Sequence, residues 1–283
     1  MTINEHKHIN DALERQHDNS WTATYGEFTL RSALQPIFKF ASGKLRPVAF
    51  EGLLRPYLDE TPVLTGSFLQ SVSMQDQSHV ESIARTLHVR NAGTLPTSAQ
   101  RLFLNFDPSL IESKPKLEQT LDDLGTELRI SGLSPTACVC EITEKAARSR
   151  EDLNYFVYAL RARGYTIAVD DFGAQSSGMA RIRDLTPDIV KFDGALIKKQ
   201  MAHSTGLAEL KNLIGDFHEL RINVVLEGLE EMWQIEMAEA AGADMVQGFA
   251  AAVPRLAPAD FSEWFDEHSD TKLRPLLKKP ASG

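Results

Sequence analysis

Residues 165–194 read YTIAVDDFGAQSSGMARIRDLTPDIVKFDG. The stretch opens on an apolar run at 165–173, passes through a helix-like segment at 174–184, and closes on a second apolar run at 188–194. A strand, a helix and a strand over ~30 residues make a parallel βαβ unit. Near-continuous apolar runs are what strands covered on both faces look like. The alternation extends both ways. RLFLNFD (101–107) and ACVCEITE (137–144) come before it; INVVLEG (222–228) and ADMVQGF (243–249) come after. Helix-like segments fall at 116–130, 151–163, 205–220 and 230–241, and 78–93 shows apolar side chains at helical spacing up to Gly93. Upstream, SALQPIFKF, ASGK and LRPVAFEGLLR (32–55) read as two strands around a glycine-containing turn. With this hairpin, about eight strands fit in ~250 residues, which predicts an α/β chain with a (β/α)8-type barrel; a doubly wound open sheet is the alternative.

Composition narrows the function classes. The 283 residues are 42% hydrophobic and 24% charged, ordinary for a globular chain with a large core. An excess of 39 acidic over 30 basic side chains argues against a nucleic-acid polymer as partner, which would need a basic footprint. Cys138 and Cys140, two apart on one strand face, read as reduced core thiols, which fits a reducing, cytoplasmic setting. No stretch of ~18 apolar residues offers a membrane span, and MTINEHKHIND lacks the apolar segment of a secretory signal. Residues 1–24 read as a polar, solvated and partly helical extension, 25–270 as the barrel, and 271–283 as a basic tail. Trp21, Trp233, Trp264, Phe156 and Tyr158 read as packing residues, Met201, Met232, Met237 and Met245 as core filler, and His88 and His218 as ordinary core or surface histidines.

What ends each strand carries the chemistry. Glu51, Asn105, Glu141, Asp170 with Asp171, Lys191, Glu227 and Gln247 each close or follow an apolar run. In a barrel the C-terminal strand ends share one face, and that face holds the active site. Five carboxylates, two amides and a lysine would meet there. Two like charges ~4 Å apart repel by ~4 kcal/mol at an effective dielectric near 20, so such a group takes up protons or binds cations. Hard oxygen donors without a His/Cys set favour Mg²⁺, Mn²⁺ or Ca²⁺ over zinc. Adjacent Asp170 and Asp171 suit two ions, the arrangement for in-line displacement at phosphorus, with Lys191 orienting water or offsetting charge. A Schiff-base role for Lys191 is the competing reading.

FEGLLR (50–55), LNFDP (104–108), EITE (141–144), VDDFG (169–173), KFD (191–193), EGLEE (227–231) and QGF (247–249), in this order, resemble the EAL domain family of bacterial phosphodiesterases, which cleave cyclic di-GMP to linear pGpG. The resemblance implies a modified TIM barrel whose first strand runs antiparallel, two divalent cations (Mg²⁺ or Mn²⁺), and a homodimer. It implies Glu51, Asn105, Glu141, Asp170 and Asp171 as metal ligands, with Asp170 bridging. Lys191 would hold the attacking water, with Glu227 and Gln247 beside it. Gln35, Leu53, Arg55 and Pro254 match substrate-contacting positions, and Glu144 and Glu230 match residues that brace the loop after the Asp pair. A partner protein could act through residues 1–24. Three departures stand out. Gly52 replaces the alanine of the name motif, and the lost methyl is expected to loosen the strand. Ala174 and Gln175 replace Thr and Gly in the loop after Asp171, and Val253 replaces an arginine before Pro254. Together they imply a slow or regulated enzyme, or else a receptor that binds cyclic di-GMP without cutting it.

Overall fold

The computed structural model describes residues 9–93, 95, 101–110, 112–142, 149–173 and 179–261. Eight of its strands close into a barrel: β3 (Phe28–Ala41), β4 (Lys44–Leu58), β6 (Arg101–Phe106), β7 (Cys138–Ile142), β8 (Thr166–Phe172), β9 (Ile189–Phe192), β10 (Asn223–Leu226) and β11 (Met245–Val246). From β4 to β11 neighbours run parallel, as βαβ crossovers demand. β3 is antiparallel to both β4 and β11 and closes the ring. The expected antiparallel first strand is therefore present, and the doubly wound alternative is excluded.

Helices fill the crossovers close to the positions expected from the sequence: α3 (Gln77–Ala92), α4 (Lys114–Ile130), α5 (Arg150–Ala162), α6 (Met179–Leu185), α8 (Gly206–Glu219) and α9 (Met232–Ala241). A helical turn over 9–12 (α1), a short α2 (Thr65–Ser71) and α7 (Gly194–Met201) are additional. Ser113 and Ser149 cap α4 and α5 through backbone N–H groups, and the Asp193 carboxylate caps α7. Among the described residues no helix is long and apolar enough to cross a membrane. Residues 271–283, Glu144, Ala174, Gln175 and Trp264 lie outside the described residues.

The solvated reading of 1–24 needs correction from residue 9 onward. β1 (Leu13–Arg15) pairs with β2 (Trp21–Tyr25), β2 pairs with β3 through a tight turn at Gly26 (φ 57°), and a two-residue β5 (Thr61–Pro62) pairs with β4. Ile9, Leu13 and Ala23 are buried with Leu30, Phe68, Val72, Val80, Ile83 and Leu87 in an apolar cluster beside the barrel. Strands as short as β1 and β2 carry one inward residue each, too few to show a period. Tyr158, Trp233 and Met232 are exposed, against expectation, whereas Phe156 and Met245 are buried as expected.

Strand alternation sorts every barrel residue to one of two sides. The outward positions build the main core against the helices: Leu102 and Leu104, Cys138 and Cys140, Val190 and Phe192, Val224 and Leu226. The inward positions form a floor to which each strand contributes one side chain: Ile37, Ala49, Phe103, Val139, Ala168, Ile189, Val225 and Met245. Phe103 is the largest of these and is fully buried. Phe103→Ala should lower unfolding free energy by ~3–5 kcal/mol in urea titrations of chelated protein, since the closed ring cannot collapse onto the void.

Candidate active site

Two residues on from the floor in the seven parallel strands, and two residues back along antiparallel β3, the inward position is polar throughout. Ile37 gives way to Gln35, Ala49 to Glu51, Phe103 to Asn105, Val139 to Glu141, Ala168 to Asp170, Ile189 to Lys191, Val225 to Glu227 and Met245 to Gln247. Register places Gln35 opposite Glu51 and Asn105 opposite Glu141, whereas Glu51 faces Phe103, Glu141 faces Ala168 and Lys191 faces Val225, the two-residue stagger of tilted barrel strands. An eight-membered polar ring thus lies directly on an eight-membered apolar one.

The ring closes around Lys191. Its Nζ lies 2.7 Å from Glu141 Oε1, 3.0 Å from Glu227 Oε2, and 3.3 Å from both Glu51 Oε2 and Asp170 Oδ1. Lys191 is 1% exposed and Glu141 fully buried. Burial alone would discharge the amine, but Glu141, Glu51, Asp170 and Glu227 outweigh it and hold the ammonium well above its ordinary range. Burial, then the Glu51 charge, drives the Glu141 carboxyl strongly upward against the pull of Lys191. Burial chiefly, with Asp170 and Glu51 adding to it against Lys191, raises Glu227 to about 7. Gln247 Nε2 donates to Glu51 Oε2 at 2.7 Å, and Gln35 Nε2 donates to the Ala252 carbonyl at 3.2 Å.

One ammonium does not satisfy this many acceptors. Although Glu141 Oε1 and Asp170 Oδ1 form ion pairs with Nζ, neither receives an aligned hydrogen bond, nor do Glu141 Oε2 or Gln247 Oε1, among the described residues. Carboxylate oxygens of Asp170, Asp171 and Glu227 lie within 4.8 Å of one another. Buried, under-donated oxygens gathered so closely fit a hard divalent cation.

Asp170 and Asp171 reach the same rim because β8 carries an extra residue. Its register against β9 jumps from Val169↔Val190 to Phe172↔Phe192, three steps against two. Asp171 takes up the bulge with φ 56°, a left-handed conformation costly for a side-chain-bearing residue. Phe172 is thereby returned to the outer core, stacked with Phe192 and Phe217.

The other expected site residues lie around this ring. Leu53, Arg55 and Asn105 line a cavity of about 360 Å³ beside it, and Pro254 immediately precedes β12 (Arg255–Leu256), which pairs with β3 at Leu34. Glu230 stands apart, exposed and paired with Lys198 at 2.9 Å. Sequence reading missed Arg85, which shares the cavity wall with His88, a histidine buried as one of its two ordinary readings, core or surface, allowed. Arg85 packs on Phe106, pairs with Glu81 at 2.8 Å, and donates to the Asn105 carbonyl at 3.4 Å. Both project from α3, where helical periodicity marks them only as one face. The strand at Gly52 is not loosened: the His88 side chain occupies the space that a Cβ at 52 would need.

The EAL domain model matches residues 24–254. Among curated proteins, a cyclic di-GMP phosphodiesterase, PdeB of Shewanella oneidensis, is 31% identical over 47% of this chain and 16% of its own length. A probable cyclic di-GMP phosphodiesterase, PdeB of Escherichia coli, is 25% identical over 83% of this chain and 44% of its own length. The chain spans less than half the length of these relatives. Among solved structures, Klebsiella pneumoniae BlrP1 with manganese and cyclic di-GMP is 25% identical, with a TM-score of 0.72, over 87% of this chain and 59% of that one.

The raised Glu227 carboxyl makes chelated protein pH-sensitive. Its folded value of about 7 exceeds the ordinary 4.5, so its share of stability is present below about pH 4.5 and lost as pH rises through about 7. Urea midpoints at pH 5 and 8 should fall with pH, and Glu227→Gln should reduce that fall.

Proposed function

This chain belongs to the EAL domain family, and on that premise we propose that it is a divalent-metal-dependent phosphodiesterase that hydrolyses cyclic di-GMP to linear pGpG. The observation that carries this reading is the ring of carboxylates around Lys191, with its buried, under-donated oxygens. Glu51, Asn105, Glu141 and Asp170 would hold one Mg²⁺ or Mn²⁺ ion; Asp170 and Asp171, with Glu227, would hold a second. When bound, such a pair of ions supplies a nucleophile at neutral pH and stabilises oxygen charge at phosphorus.

The chain's own groups do the rest. Lys191 remains an ammonium even when buried, so it donates to the attacking water and faces the charge that grows on the phosphate oxygens. Glu227, whose Oε2 lies 3.0 Å from Lys191 Nζ, would receive the water's proton. Gln247 fixes Glu51 through its amide N–H. Arg55 at the cavity wall is placed to pair with a substrate phosphate, for which a planar guanidinium is well matched. Leu53 lines the same cavity; Gln35 and Pro254 would contact substrate beside it, and Glu144 and Glu230 would brace the loop after the Asp pair. Water then adds across one of the two phosphodiesters, leaving a 5′-phosphate and a 3′-hydroxyl. The floor beneath keeps bulk water from entering between the strands.

A receptor that binds without cutting is the second reading, favoured by Val253 and by Ala174–Gln175 in the loop after Asp171. Chromatography of cyclic di-GMP incubated with the protein separates the two. Linear product should form with Mg²⁺ or Mn²⁺ and disappear with chelator. Asp170→Asn should reduce turnover by more than about 100-fold while retaining the wild-type circular dichroism spectrum. Binding by titration without any product would establish the receptor instead.

A further inference from the structure

Gly52 sits inside β4 between Glu51 of the polar ring and Leu53 of the cavity. Its φ is not in the left-handed region, so backbone freedom is not what calls for glycine there. Space is. A Cβ at this position would lie 2.6 Å from His88 Cγ, 2.8 Å from His88 Cβ and 2.9 Å from His88 Cδ2. Because the His88 Cβ itself is among the clashing atoms, no rotation of the ring relieves the contact. Helix α3 or strand β4 would have to move.

Neither is free to do so. His88 is 4% exposed, and its Nδ1 lies 2.7 Å from the Ser32 hydroxyl of β3. Ser32 pairs with Leu54, Leu34 with Gly52 and Gln35 with Glu51, while Glu51 is also in register with Phe103 of β6. On the helix side, Val80, Ile83 and Leu87 are locked into the satellite cluster and Val89 into the main core. Burial, with Arg55 and Arg85 nearby, depresses the imidazole to about 3, so the ring acts as a neutral, hydrogen-bonded spacer.

We propose that His88 is a positioning residue for the metal site: packed on Gly52 and bonded to Ser32, its ring sets the separation of α3 from β4 and so fixes where the Glu51 carboxylate stands in the polar ring. Gly52 and His88 form a matched pair, and a side chain at 52 excludes the ring at 88. This rests on the reading of Glu51 as a metal ligand.

The test is Mn²⁺ affinity by isothermal titration calorimetry, without nucleotide, on the full chain and on Gly52→Ala, His88→Ala and the double variant, with melting of the chelated proteins measured alongside. A displaced ligand should weaken Mn²⁺ binding by about ten-fold or more in Gly52→Ala. The double variant, in which the new methyl occupies part of the vacated ring space, should bind Mn²⁺ more tightly than either single variant. A purely structural role would change melting and leave the affinity of folded protein unaltered, which would overturn the proposal. So would a double variant no better than Gly52→Ala. If Gly52→Ala fails to fold, the double variant must fold and bind; if it too fails, the pair is not matched and the proposal falls. Wild-type protein that binds no Mn²⁺ sinks the metal reading and this inference together, whereas wild-type affinity in every variant sinks this inference alone.

Discussion

Lys191 brings its ammonium into the barrel at 1% exposure, with four carboxylates between 2.7 and 3.3 Å away. Removing these charges from water costs several kcal/mol each, and the attraction repays this only where geometry is held tightly. Five acidic groups against one lysine leave a surplus of negative charge even so. Part of it is relieved by protons, as the raised Glu141 and Glu227 carboxyls indicate. A site so loaded is an unfavourable way to stabilise a barrel and a favourable way to attract a doubly charged ion.

The scaffold sustains this tension by separating the two requirements along the strands. Packing is assigned to the floor and to the outer core, whose side chains are close to fully buried. Charge is assigned to the next inward position alone. The arrangement yields at the bulge at Asp170–Asp171, where an extra residue brings a second carboxylate to the rim and a strained φ results. Strain of that kind persists where its surroundings over-determine it, and the aromatic stack of Phe172, Phe192 and Phe217 does so here.

Much of this was legible in the linear sequence because one signal served two purposes. The apolar runs that mark buried strands also end on the residues that form the ring, so finding the fold located the site. Glu51, Glu141, Asp170, Lys191, Glu227 and Gln247 meet as their strand ends suggested. What escaped notice came from elements with no such signal. WTATY (21–25) is rich in β-branched and aromatic residues, yet only Ala23 is buried, and its place in the sheet comes from backbone pairing. The contact between Gly52 and His88 joins residues whose positions in a strand and a helix say nothing of their distance from each other. Only packing reveals that a missing methyl has been replaced by a ring.

The two-residue offset between floor and ring also bears on how such a chain can change its length. Adding or deleting one residue between those levels would turn that strand's polar group outward into the apolar core and bring an apolar group to the axis. Insertions and deletions should therefore accumulate in the helices and the far-side loops and spare the short spans that run from floor to rim. The single extra residue in β8 is accommodated because both of its neighbours in the bulge are acids that the rim can use.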